Sequence, residues 1–148
     1  LYRGGKVCVS ILNTWKGDQW TSCQSIRSIL LTLVTLLNEN PLTNEPGFPS
    51  THKSCLPYKR MIEYMNFKIA ILGMLTQGSL QSKFTTYYPI LKKYFIDNKN
   101  KIMERINELA DNEELNNLED KISVYNMSVK YDYTDLKSKF EDQINILE

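Results

Sequence analysis

No charge sign dominates this chain. Eighteen Lys and Arg stand against seventeen Asp and Glu, a formal net charge of +1 over 148 residues. So balanced a surface throws no strong single-sign field, which removes the electrostatic ground for proposing a nucleic acid or a membrane as partner. Cysteine is scarce as well: Cys8, Cys23 and Cys55 are odd in number and irregular in spacing. They offer no disulfide framework and point to a reducing compartment. A long hydrophobic run is missing, because the longest helical apolar stretch, Ile26 to Leu37, is interrupted by Arg27, Ser28, Thr32 and Thr35 and is too short to span a bilayer. The opening Leu1-Tyr2-Arg3-Gly4-Gly5-Lys6 leads into a mixed segment, without the basic start and apolar stretch of a secretory signal. It also lacks an initiator methionine, so the chain is expected to begin inside a longer one. Internal repeats and low-complexity tracts are absent. The expectation is a soluble intracellular protein, cytoplasmic, with the nucleus as a second location.

What is present suits one domain with a real core: 42% of the residues are hydrophobic. The stretch with the most chemistry runs from Gly5 to Trp20. It places Cys8 after a Gly4-Gly5 turn, at the head of a short apolar run that ends in a tryptophan-bounded loop. The thiolate is the reactive form of cysteine and needs partial exposure, so Cys8 is the candidate nucleophile. The alternative is a buried structural cysteine, since free Cys is among the most buried residue types.

Taken in order, Val7 to Leu12 reads as a short extended segment and residues 13 to 20 as its loop. Thr21-x-x-Gln24 has the form of a capping box, which predicts a helix from near Ser22. Its apolar residues Ile26, Ile29, Leu30, Leu33, Val34, Leu36 and Leu37 cover more than one face, so other elements are expected around it. Asn38-Glu39-Asn40-Pro41 should end it. Residues 41 to 57 hold four of the five prolines and read as a loop. A second helix, Tyr58 to Gln77, carries Tyr58, Met61, Ile62, Met65, Ile69, Leu72 and Leu75 along one apolar stripe and stops at Gly78. Pro89 can open a third, with Leu91, Phe95, Ile102, Ile106 and Leu109 on one face and a break near Asn98. Residues 111 to 120, rich in Asp, Glu and Asn, read as a solvated face or linker. Val124 to Tyr133 is ambiguous between strand and loop, and Thr134 can cap a final helix with Leu136, Phe140, Ile144 and Leu147 aligned.

Gly5-x-Val7-Cys8-Val9-Ser10-Ile11-Leu12, then Trp20-Thr21, then a long apolar helix, resembles the active-site segment of ubiquitin-conjugating enzymes. The loop Asn13 to Gln19 and the later Asn40-Pro41 with Asn44-Glu45-Pro46-Gly47-Phe48 are similar to the large Z-type members. The resemblance implies an α+β fold of which residues 1 to 78 would be the C-terminal half of a conjugating domain and residues 79 to 148 a helical extension. The first helix, the antiparallel sheet and the His-Pro-Asn motif of the family would all precede Leu1. It further implies that Cys8 accepts ubiquitin or a related modifier as a thioester from an activating enzyme and passes it to a substrate lysine, alone or with a ligase. Trp20 and Thr21 would fix the loop beside the cysteine, and Thr43, Asn44 or Glu45 would supply the polar residue near the thioester. Turn formation around Pro46-Gly47 is the plainer role for those three. No cofactor or metal is implied. Where the family commonly has Ser-Pro-Ala after the tryptophan, this chain has Thr21-Ser22-Cys23, which leaves the choice of ligase open.

Two other readings compete. One is a non-catalytic binding module, or an inactive piece, that keeps the fold without forming a thioester. The other is a structural zinc site from Cys8, Cys23, Cys55 and His52, for which His52-x-x-Cys55 has a ligand-like spacing but no Cys-x-x-Cys pair exists.

Overall fold

A computed structural model describes residues 7–76 and 85–148. The Gly4-Gly5 turn and the helix stop at Gly78 lie outside the described residues. The chain separates into two compact units, Leu1–Phe48 and Pro49–Glu148. The expected division at residue 78, between half of a family domain and its helical extension, is a different kind of boundary from one of compactness.

In the first unit, Val7 to Val9 runs without regular structure into a 3-10 turn, Ser10–Leu12. The expected extended segment therefore ends three residues early. The chain turns because Asn13 sits in the left-handed region at φ 57° and donates its backbone N–H to the Ser10 carbonyl at 2.8 Å. Asn tolerates that conformation better than most residues. Helix α1 spans Ile26–Thr35 rather than starting near Ser22. Its capping box is built by Ser25 and Ser28: the Ser25 Oγ accepts from the Ser28 N–H at 3.3 Å, and the Ser28 Oγ accepts from the Ser25 N–H at 2.8 Å. Thr21 and Gln24 form only a backbone turn, the Gln24 N–H reaching the Thr21 carbonyl at 3.0 Å. At its other end α1 stops at Thr35, before the expected Asn38-to-Pro41 boundary, and Leu36 caps it. A second 3-10 turn covers Pro41–Asn44, with Leu42 buried. Among the described residues of this unit nothing covers the outer face of α1: Ile26 is 75% exposed and Leu37 69%, with Leu30, Leu31 and Val34 also exposed.

The second unit holds most of the core. Helix α2, Cys55–Met65, starts three residues before the expected Tyr58 and takes Pro57 into its first turn, where the missing N–H costs nothing. Without a break it widens into a π-helical stretch, Asn66–Gly73, and returns to α geometry over Met74–Thr76. Because a π turn carries its hydrogen bonds from i to i+5, the apolar stripe drifts around the helix. Ile69, expected on the stripe, is exposed, while Leu72 and Leu75 are buried.

Helix α3, Tyr88–Ala110, opens with Pro89 in its first turn and runs unbroken past Asn98. The Asn98 carboxamide donates back to the Tyr94 carbonyl at 2.8 Å, so the residue is accommodated without a kink. Strands β1, Glu119–Ile122, and β2, Met127–Lys130, pair antiparallel with Asp120 opposite Val129 and Ile122 opposite Met127. β1 therefore lies in part of what reads as a solvated linker. Asp120 is buried, and its side chain takes both prongs of the Arg60 guanidinium, Nε and Nη2, at 2.8 Å each. Helix α4, Tyr133–Leu147, is capped by Asp132, whose side chain accepts from the Asp135 N–H at 2.8 Å; Thr134 lies inside the first turn instead.

α3 and α4 pack on each other, while β1 and α4 pack on α2 and its continuation. Phe140, fully buried, meets Phe67 edge-on at 6.4 Å and Phe95 at 6.1 Å. Tyr64 meets Tyr131 and Tyr133 edge-on at 5.4 and 5.1 Å. The segment after the α2 helix is thus a folded part of this unit, as the regular stripes of α3 and α4 require of side chains that must leave water.

Candidate active site

Cys8 is partly exposed, between a half-buried Val7 and a buried Val9. Three residues arrange the backbone around it. The Thr14 Oγ1 accepts the Val9 N–H at 3.0 Å and lies 2.7 Å from the Val7 carbonyl and 3.1 Å from the Val9 carbonyl. The Asn13 Oδ1 accepts the Trp20 N–H at 3.0 Å, which ties the two ends of the loop together. Gly17, at φ +135°, lets the loop backbone lie against Ser10: a Cβ there would stand 3.0 Å from the Ser10 Cβ. Only glycine adopts such a φ without strain. Trp15 and Trp20 project outward, 50% and 44% exposed. A thiol at the surface, on a backbone tied from one side by its own loop, is a reasonable setting for nucleophilic attack.

Of the residues expected to support Cys8, Trp20 is held in its loop through its backbone, and Thr21 is exposed, with its carbonyl in the 21–24 turn. The residues after α1 have other engagements. The Thr43 hydroxyl donates to the Asn40 carbonyl at 2.7 Å, and the Asn44 carboxamide donates to the Leu36 carbonyl at 2.7 Å while accepting from Asn38 at 3.2 Å. Asn44 thereby satisfies a free carbonyl at the α1 C-terminus. The Glu45 N–H bonds the Leu42 carbonyl at 3.0 Å. Thr14, Asn13 and Gly17 escaped the sequence reading. The available signal was the loop itself, a Thr and a Gly within nine residues of the cysteine.

Of the residues the zinc reading would use, Cys55 is buried with its Sγ 3.4 Å from the Pro49 carbonyl, and the His52 Nδ1 accepts the Ser54 N–H at 3.2 Å. Among the described residues no three His, Cys, Asp or Glu side chains converge on a metal-sized space. Likewise, no described helix is long and apolar enough to cross a membrane.

No family model matches the chain. It is similar to ubiquitin-conjugating enzyme E2 Z of Homo sapiens, 37% identical over 101 residues that cover 59% of this chain and 28% of that protein. The E2 Z of Xenopus tropicalis is 42% identical over 82 residues, 54% of this chain and 26% of that one. The chain is a relative of the ubiquitin-conjugating enzymes, of Z type in particular. A further relative in the family, human dual E2 ubiquitin-conjugating enzyme/E3 ubiquitin-protein ligase BIRC6, is 32% identical over 123 residues, 75% of this chain and 2% of that protein. The chain thus spans about a quarter of the length of the E2 Z relatives. With helices and a two-stranded sheet, its fold class is the α+β class of the conjugating family.

Proposed function

We propose that Cys8 is the thioester-forming cysteine of a ubiquitin-conjugating enzyme. Its Sγ attacks the carbonyl carbon of a modifier held as a thioester on an activating enzyme, whose own thiolate leaves. A substrate lysine amine then attacks the same carbonyl, Cys8 leaves as thiolate, and the amine gives up its proton as the isopeptide bond forms. The observation that carries this reading is a partly exposed cysteine on a backbone fixed by its own loop, in a chain related to enzymes of that name. The partners would be ubiquitin or a ubiquitin-like modifier, an activating enzyme, a substrate protein and, for some substrates, a ligase, in the cytoplasm or nucleus.

Residues 1 to 78 would then be the C-terminal half of the conjugating domain and residues 79 to 148 an extension that influences which activating enzyme or modifier is used. Trp20 and Thr21 would border the cysteine, with Thr43, Asn44 and Glu45 shaping the turn after α1. One observation favours a second reading, a piece that cannot be charged by itself. Ile26, Leu30, Leu31 and Val34 of α1, with Leu37 just beyond it, face water, which is what a helix shows when the surface it packs on is absent.

The test is a non-reducing gel after incubation with activating enzyme, ATP and modifier, using the chain as the cell makes it and the 148 residues alone. A reducible band lost in Cys8→Ala and kept in Cys23→Ala supports the first reading. A band that persists in Cys8→Ala overturns it. Charging of the cellular chain but not of the 148 residues places the second reading on the piece alone.

A further inference from the structure

The hydroxyl of Thr14 has one proton and two carbonyls in reach. The Val7 carbonyl at 2.7 Å is the closer, the Val9 carbonyl at 3.1 Å the farther, and the shorter contact takes the proton. The same oxygen accepts the Val9 N–H at 3.0 Å. The Val7 carbonyl belongs to the peptide group that precedes Cys8, and the Val9 N–H to the peptide group that follows it. One oxygen therefore grips both peptide planes that flank the cysteine. Since each peptide unit is planar, the only soft torsions between those planes are the φ and ψ of Cys8 itself. Pinning both planes to one atom fixes both torsions, and with them the direction of the Cα–Cβ bond that carries the sulfur.

From this we infer that Thr14 is a positioning residue: it aims the Cys8 thiolate at the incoming carbonyl without touching the modifier. The inference rests on Cys8 being the nucleophile. The 3-10 turn of Ser10–Leu12 and the left-handed Asn13 bring residue 14 back beside residues 7 and 9, where its N–H bonds the Val9 carbonyl at 3.3 Å; with the backbone placed by the turn, the hydroxyl is what bridges the two planes. Thr14 itself is exposed. A nucleophile whose direction is set in advance loses less freedom on reaching the transition state, so the effect belongs in kcat and not in the affinity for the activating enzyme.

Thr14→Val keeps the shape of the side chain and removes the hydroxyl, while Thr14→Ser keeps the hydroxyl. In charging assays on the chain as the cell makes it, Thr14→Val should lower kcat roughly tenfold with KM for the activating enzyme within about twofold, the size of effect one lost hydrogen-bonded bridge produces. Thr14→Ser should return kcat to within about twofold of the parent on the same scale. Alkylation by iodoacetamide, read by peptide mass spectrometry with the exposed Cys23 as internal reference, should show a changed Cys8-to-Cys23 ratio in Thr14→Val alone. A purely structural role would instead lower the melting temperature and leave kcat per folded molecule unchanged, and that result overturns the inference. Equal kcat in Thr14→Val and the parent, or a Thr14→Ser that behaves as Thr14→Val, overturns it too. If the parent chain is not charged at all, or Cys8→Ala still is, the proposed function fails, and an unchanged alkylation ratio then overturns the positioning role separately.

Discussion

Arg60 and Asp120 meet as a two-pronged ion pair across the second unit, Nε to Oδ2 and Nη2 to Oδ1, each at 2.8 Å. The Tyr131 hydroxyl donates to the same Oδ2 at 2.7 Å. Helix α2 is thereby joined at one carboxylate to β1 and to the residue that follows β2, with Arg60 sixty positions from Asp120. The Arg60 hydrogen bonds hold Asp120 below the usual carboxylate range, and burial, reinforced by Asp120, pushes the Tyr131 hydroxyl well above its ordinary value.

Asp120→Ala should cost about 2–3 kcal/mol, because it leaves a guanidinium and a hydroxyl without partners in a site of low exposure. Urea denaturation followed by circular dichroism measures it. A midpoint equal to that of the parent would mean that water replaces the carboxylate without loss.

The same pair sets an acid limit. With its pKa lowered on folding, Asp120 gives its stabilisation in full above the unfolded carboxylate value, about 4, and loses it as pH falls through the lower folded value. The difference in stability between the parent and Asp120→Asn should therefore be constant above pH of about 5 and shrink steadily below about 4. A difference that stays constant down to pH of about 2 would show that another group carries the acid transition.

Gly17→Ala puts a methyl 3.0 Å from the Ser10 Cβ at a φ of +135°. The loop must move, and the segment from Val7 to Ser10 with it. Alkylation of Cys8 relative to Cys23 should change several-fold, while global stability falls by about 1–2 kcal/mol. Gly47→Ala, at φ +88° with nothing within 4 Å of the added carbon, should cost strain alone and leave the alkylation ratio untouched.

Ser25→Ala removes the cap of α1 and should lower stability by about 1 kcal/mol. Thr21→Ala should leave the helix content unchanged, since the Thr21 side chain caps nothing here. The reverse ranking, by circular dichroism at 222 nm, would restore the earlier helix start near Ser22.

Sequence reasoning reached the features that depend on near neighbours. Pro89 at the start of α3, the beginning of the second helix's stripe at Tyr58 and Met61 and the final amphipathic helix could all be read from spacing. What it missed depends on distant residues or on geometry. Asp120, at the end of residues 111 to 120, looks solvated because its burial depends on Arg60, sixty positions away. The Ser25–Ser28 cap lacks the Glu or Gln that usually marks a capping box, so the stronger pattern at Thr21-Ser22-Cys23-Gln24 drew the helix start too early. At the candidate site, Cys8 and its loop could be found from motif order. Thr14 could not, because only the left-handed turn at Asn13 carries it back beside the cysteine.

The wide turns of Asn66–Gly73 bear on how this chain can change over generations. Each such turn stores an extra residue relative to an α turn, so the helix has already absorbed length without sprouting a loop. Losing one codon inside residues 66–73 could be taken up by tightening to an α turn, with Leu72 and Leu75 kept against the core. The same loss inside Cys55–Met65 would rotate everything beyond it by about 100° and carry Leu72 and Leu75 into water. Length variation among close relatives should therefore collect between residues 66 and 73 and be purged from the eleven residues before it.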